Sequence, residues 1–213
     1  MTTTPISPNK LSTEPPSSDQ DRTNVLDAAL EELRTMSTQP TDGLWLEDLT
    51  VRAAPLISEW DISDCWSWAD WPDREDVLPD APEQDVGIDA VARRRADGRW
   101  IAIQVKSRQL DFDGSGAAVN AGELDKFLAG ATNPTIWAER WLVVNGAVPL
   151  GGYSSAKVTM SGTPVKVVNL AQAVNAQRAV LAENAADAPC PHCDPNSSAD
   201  AEKAGGGGGG GGG

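Results

Sequence analysis

Gln84-Asp85-Val86-Gly87-Ile88-Asp89-Ala90-Val91-Ala92-Arg93-Arg94-Arg95-Ala96-Asp97-Gly98-Arg99-Trp100-Ile101-Ala102-Ile103-Gln104-Val105-Lys106 is the stretch on which the fold turns. Val86 to Arg94 reads as a strand. Arg95-Ala96-Asp97-Gly98 carries the Asp-Gly signal of a tight turn. Trp100 to Lys106 reads as a second strand with period-two alternation: Ile101, Ile103 and Val105 face one way, and Ala102, Gln104 and Lys106 face the other. The two strands are expected to form a hairpin that brings Asp89, Gln104 and Lys106 together near one sheet edge. A carboxylate and an amide oxygen are hard ligands suited to Mg²⁺. A neighbouring lysine can orient or deprotonate a water, or steady charge on a phosphorane. The same residue types also occur on ordinary exposed hairpin faces. Here, however, Gln104 and Lys106 interrupt a run that otherwise reads as a buried strand, where an unpaired polar group is costly.

Working outward, Val25, Leu26, Ala29, Leu30 and Leu33 recur at helical spacing, with Thr23 and Asn24 as expected caps. A second helix is expected from Thr41 or Asp42, carrying Leu44, Trp45, Leu49 and Ala53, with Pro55 beyond it. Trp60, Trp66, Trp68 and Trp71 follow; they suit core packing, and base stacking is the alternative. After the hairpin, Leu124, Phe127 and Leu128 predict a helix, Trp141 to Val144 a buried strand, and Pro164 to Val168 another strand. A last helix is expected from about Leu170. This order gives an α/β fold with a mixed central sheet flanked by helices.

The pattern Gln84 to Ala92 followed by Trp100 to Lys106 resembles the D-x-G-I-D, hairpin, Q-x-K signature of Mrr-like PD-(D/E)XK restriction endonuclease domains. It is similar in particular to the amino-terminal nuclease module of type ISP restriction enzymes and restriction helicases. Leu44 to Leu49, Trp66 to Pro72, Leu124 to Leu128 and Arg140 to Val144 extend the likeness over roughly 24–173. The resemblance implies a restriction-endonuclease-like core of αβββαβ type and Mg²⁺-dependent hydrolysis of double-stranded DNA, with Mn²⁺ as a substitute. Asp89 then matches the metal-binding aspartate, Gln104 the second ligand position, Lys106 the catalytic lysine, and Glu47 the helix glutamate that reaches the metal. Asp85 either assists or caps the turn into the strand. Gln104 in place of a carboxylate removes one negative charge from the site. Family members of this kind are joined to a helicase, translocase or specificity domain, which makes such a unit an expected partner. The alternative function is a catalytically weak or inactive DNA-binding or interaction module that keeps the nuclease fold.

The net charge of −14 argues against nucleic acid at first sight. The segment from Ala81 to Leu170 nevertheless holds ten Lys/Arg against nine Asp/Glu, a balance of about +1. Residues 1–23 and 184–213 lack apolar content and are expected to be disordered tails around a 24–183 nuclease domain. Three cysteines do not make a disulfide framework. Cys190-Pro191-His192-Cys193 is either incidental or half of a zinc site. Arg93-Arg94-Arg95 at the hairpin tip is either solvated or a phosphate contact, and Lys157 and Lys166 are candidates for the same surface. With no membrane-length apolar run and no signal-peptide pattern, a cytoplasmic protein without membrane partners is expected.

Overall fold

The computed structural model describes residues 16, 18–38, 43–80, 86–162 and 164–187, with the side chains of 36–38 not described. Asp85, the Cys190 to Cys193 stretch and the outer parts of both expected tails lie outside the described residues. Two helices come first, α1 (Asp19–Thr38) and α2 (Gly43–Ala53). Then follow β1 (Ile62–Ser67), the short α3 (Arg74–Val77), β2 (Ala90–Arg94) and β3 (Trp100–Lys106). The chain continues through a 3-10 turn (Ala121–Leu124), α4 (Asp125–Gly130), β4 (Trp137–Val144), α5 (Gly152–Met160), β5 (Val165–Asn169) and α6 (Leu170–Asp187).

The five strands form one sheet in sequence order. β1, β2 and β3 pair antiparallel, while β3–β4 and β4–β5 pair parallel. Antiparallel neighbours need only tight turns, whereas each parallel pair needs a crossover, which α4 and α5 supply. The result is a mixed central sheet flanked by helices.

Alternation along the strands splits the interior into two layers. Ala90, Ala92, Ile101, Ile103, Val105, Trp141 and Val143 join Leu26, Leu46, Leu49 and Leu170 in a core under α1, α2 and α6. Val91, Ala102, Leu142 and Val144 join Leu124, Phe127 and Leu128 in a second core under α4. The expected faces of β3 therefore hold: Ile101, Ile103 and Val105 lie in the first layer and Ala102 in the second.

Three local expectations are corrected. α1 starts at Asp19, so Thr23 and Asn24 lie inside it; Ser18 caps it, its Oγ accepting from Asp21 N at 3.1 Å. β2 starts at Ala90 rather than Val86, because Gly87 adopts φ +79°, which no extended strand tolerates. β1 and α5 form where no element was assigned from the residues themselves. Trp60, Trp68 and Trp71 are 3–6 % exposed, and Trp71 packs 5.0 Å from Trp100 and 5.7 Å from Trp137, so packing rather than base stacking occupies them. Among the described residues, no helix is long and apolar enough to cross a membrane.

Candidate active site

Gly87 fixes the approach to the site. A Cβ there would lie 2.4 Å from Phe127 N and 2.7 Å from Lys126 C, so the chain before β2 presses directly on the backbone of α4. This close approach, together with the positive φ, requires glycine. The chain then enters the sheet irregularly. Ala90 is paired with Ile103, yet Asp89 N also donates to Ile103 O at 2.9 Å, so two residues face one: a β-bulge at the head of β2. Bulges re-aim side chains and recur beside active sites.

The bulge sends Asp89 across to β3. Its Oδ2 accepts from Val105 N at 2.7 Å, the peptide that joins Gln104 to Val105. The carboxylate thus sits on the backbone link between Gln104 and the residue preceding Lys106. A third bond fixes it from the other side, as Trp68 N donates to Asp89 O at 3.0 Å. The tryptophan-rich turn after β1 therefore buttresses the aspartate. Nothing in the residues of that turn announces this role, which depends on the β1–β2 register.

Gln104 is 3 % exposed, and its Oε1 is buried with no hydrogen-bond partner. An orphaned buried acceptor costs about 1–3 kcal/mol, which makes it the one unmet demand in this strand. An unpartnered amide oxygen is a donor suited to a hard divalent cation that keeps most of its waters. Among the described residues, no group of three or more His, Cys, Asp or Glu side chains is placed to hold a metal ion. Lys106 ends β3, half-buried, opposite Val144 of β4.

Glu47 lies on α2, half-buried, one turn from Gly43, where its Oε1 would be 3.7 Å from an added Cβ. The buried side chains of α2 belong to the layer opposite Ala102. The Asp89 carboxylate is thus held on the Gln104–Lys106 strand, while Glu47 is carried by α2.

Just past Lys106 is a network that the sequence reading passed over. Asn145, 2 % exposed, follows β4 and accepts from Arg108 N at 3.0 Å while donating to Arg108 O at 2.8 Å. Its side chain so extends the parallel ladder beyond the last strand pair. Arg108 in turn donates to Ser107 O, to Ala117 O and, at 2.6 Å, to Glu123 Oε1. Glu123 closes a capping box with Asn120, visible in sequence as Asn120-x-x-Glu123. Burial raises the Glu123 carboxyl, but the Asn120 N–H, the Arg108 guanidinium and the Lys106 ammonium together hold it below the usual range.

The hairpin-tip arginines are engaged within the protein. Arg93 pairs with Asp73 at 3.2 Å and lies 4.8 Å over Trp100. Arg94 binds Asp97 and, at 2.8 Å, Glu139. Arg95 donates to Ile62 O at 2.7 Å. Lys157 pairs with Asp125, and Lys166 lies 4.4 Å over Trp141. Cys65, the one cysteine outside the Cys190 to Cys193 stretch, is packed against the first core layer, and burial pushes its thiol up to about 12. A thiol held protonated is a poor metal ligand.

Residues 52–181 match the family model Mrr_cat_2, described as restriction endonuclease. That span is more than half of the chain and contains Asp89, Gln104, Lys106 and Glu123; Glu47 lies outside it. Among solved structures, the chain is similar to the MspJI restriction endonuclease in complex with a 27-mer oligonucleotide, at 15 % identity and a TM-score of 0.43. The match covers 83 % of this chain and 37 % of that one. No curated protein matches.

Proposed function

We propose, from the premise that this chain belongs to the restriction endonuclease family whose model its residues 52–181 match, that it is a divalent-metal-dependent endonuclease. Its substrate is double-stranded DNA, cleaved at Asp89, Gln104 and Lys106, and its use is restriction of foreign DNA. The observation that most supports this reading is the Asp89 carboxylate on the peptide that joins Gln104 to Val105, in a strand whose Gln104 Oε1 is buried without a partner. Mg²⁺ or Mn²⁺ bound there would supply an acidified water and charge neutralisation at the scissile phosphate.

The protein's own groups do the rest. The bulge and the Trp68 contact hold Asp89 so that its carboxylate stays on β3. Gln104 turns an amide oxygen toward the ion without adding a second negative charge, so metal affinity is lower than at a carboxylate pair. Lys106, two residues on, offers an ammonium to the developing phosphorane charge or orients the attacking water. Glu47 is a fourth member of the proposal, supported by its place in the resemblance. A joined motor or specificity unit would select the target, as this chain spans about 37 % of the length of the MspJI chain that it resembles.

A second reading, a non-cleaving interaction module that keeps the nuclease fold, is favoured by one observation: Arg93, Arg94 and Arg95 are all engaged internally, leaving no basic stripe at the hairpin tip. Nicking of supercoiled plasmid with Mg²⁺ or Mn²⁺ separates the two. Cleavage by the wild type that disappears in Asp89→Ala and Lys106→Ala supports the nuclease. Cleavage that survives both substitutions refutes the site, and a folded wild type that does not cleave favours the second reading.

A further inference from the structure

Resting on the reading of DNA as the substrate, we propose that Arg140 is a phosphate-binding residue kept under α5, and that its guanidinium takes a backbone phosphate of the duplex when the Ser161 end of α5 opens. Arg140 lies on β4 opposite Ala102 and is 1 % exposed. Its Nη2 donates to Ser161 Oγ at 2.7 Å, while Nε and Nη1 are buried with no hydrogen-bond partner. Burial alone acts on this guanidinium, lowering its pKa with no charged neighbour contributing. An arginine nevertheless stays protonated, so the fold carries a buried cation without a counter-charge, a costly arrangement. Trp137, its neighbour on the same face of β4, also keeps its indole N–H buried without a partner. Gln104 Oε1 does not answer these donors, since it too is unpartnered. The unmet demand around Arg140 is for an acceptor that carries negative charge.

The cover is light. α5 buries only Ser154 among its residues. Polar ties hold it: Ser154 Oγ donates to Val119 O at 2.6 Å, Lys157 pairs with Asp125, and Ser161 takes Arg140. A segment with so little buried apolar surface opens locally at low cost. Ser161 is exposed, so the guanidinium lies one side chain below the surface. Ser161 Oγ in turn donates to Val158 O at 2.7 Å, which makes the negative end of the α5 dipole the present stand-in for an anion. The surroundings suit a polyanion: from Arg140 to Ala182 the sequence holds no Asp or Glu, in a chain that has 31. The position also suits the proposed substrate. Leu142 pairs with Gln104, so Arg140 stands one strand over on the same face, about 7 Å further down the strand direction. A guanidinium offers a fork of donors that matches phosphate oxygens.

The full chain is compared as wild type, Arg140→Met and Ser161→Ala. Affinity for a DNA duplex is measured by fluorescence anisotropy in metal-free buffer across salt concentrations. Melting temperatures are taken on the same samples, in chloride and in inorganic phosphate at equal ionic strength. Methionine fills much of the arginine's volume without its charge, so Arg140→Met is expected to melt at or above wild type. It is expected to bind duplex about tenfold more weakly and to lose about one unit of salt slope, as for one charge-assisted phosphate contact. Ser161→Ala removes the tie that closes the site. It is expected to bind about threefold more tightly with the wild-type salt slope, because a larger fraction of molecules is open. A folded Arg140→Met protein with wild-type affinity and salt slope overturns the inference. So does Ser161→Ala that binds no more tightly than wild type, a test that holds even where Arg140→Met folds poorly. A binding loss in Arg140→Met that follows a fall in melting temperature marks a structural arginine and overturns it as well. Inorganic phosphate that raises the melting temperature of wild type but not of Arg140→Met, at equal duplex affinity of the two, assigns the site to a free anion and overturns its use for DNA. A wild type that binds no duplex overturns instead the DNA reading on which this one rests.

Discussion

Two glycines in the same backbone region offer a paired test of how the site is held. Gly87 and Gly98 adopt φ +79° and +71°. An added Cβ at Gly98 meets nothing within 4 Å, while at Gly87 it would lie 2.4 Å from Phe127 N and 2.7 Å from Lys126 C. A non-glycine residue in the left-handed region costs about 1–2 kcal/mol, and this is all that Gly98→Ala should lose. Gly87→Ala adds displacement of the α4 backbone, an overpacking cost of about 1–3 kcal/mol. The sum is roughly 2–5 kcal/mol at position 87. At roughly 2–4 °C per kcal/mol for a domain of this size, the expected drops in melting temperature are about 4 °C for Gly98→Ala and about 10 °C for Gly87→Ala. Thermal unfolding followed by circular dichroism reads both. Because 87 leads into the bulge at 89, Gly87→Ala should also slow plasmid nicking below its melting range, and Gly98→Ala should not. Equal melting shifts, or a larger one at 98, would refute the claim that α4 presses on the approach to Asp89.

Other expectations follow from groups that the protein engages internally. Arg94→Ala removes the pairs with Asp97 and Glu139 and should cost up to about 1 kcal/mol of stability while leaving duplex affinity unchanged in fluorescence anisotropy; weaker DNA binding at unchanged stability would contradict it. The Cys65 thiol has a folded pKa raised from 9.0 to about 12 by burial. Its contribution to stability is therefore fully present below pH 9 and is lost as pH rises toward 12. In a C190S/C193S background, iodoacetamide at pH 8 should label Cys65 far more slowly in the folded protein than in denaturant, and equal labelling of the two would count against the raised pKa.

The hairpin was legible because its signals are local. The Asp-Gly turn, the alternation from Ile101 to Lys106 and the polar interruption at Gln104 all lie within one short window. The parts that stayed hidden depend on distant partners. β1, Ile62-Ser63-Asp64-Cys65-Trp66-Ser67, has no clean alternation and becomes a strand by pairing with β2. α5 buries only Ser154 among its residues, so it shows little apolar periodicity. β2 starts late because α4, some forty residues on, crowds Gly87. Likewise, Arg93-Arg94-Arg95 looked like a surface cluster because its acceptors, Asp73, Glu139 and Ile62 O, come from other elements. Glu123 was findable from its capping box, yet nothing local connected it to Arg108.

Diffraction from a crystal soaked in Mn²⁺, read by its anomalous signal, tests the shared metal position most directly. The expected peak lies between the Asp89 carboxylate and Gln104 Oε1, at roughly 2.1 Å from each as for a small hard divalent ion. A peak bound elsewhere, or a Gln104 amide turned away from Asp89 in an ion-loaded crystal, would contradict a catalytic centre at these residues.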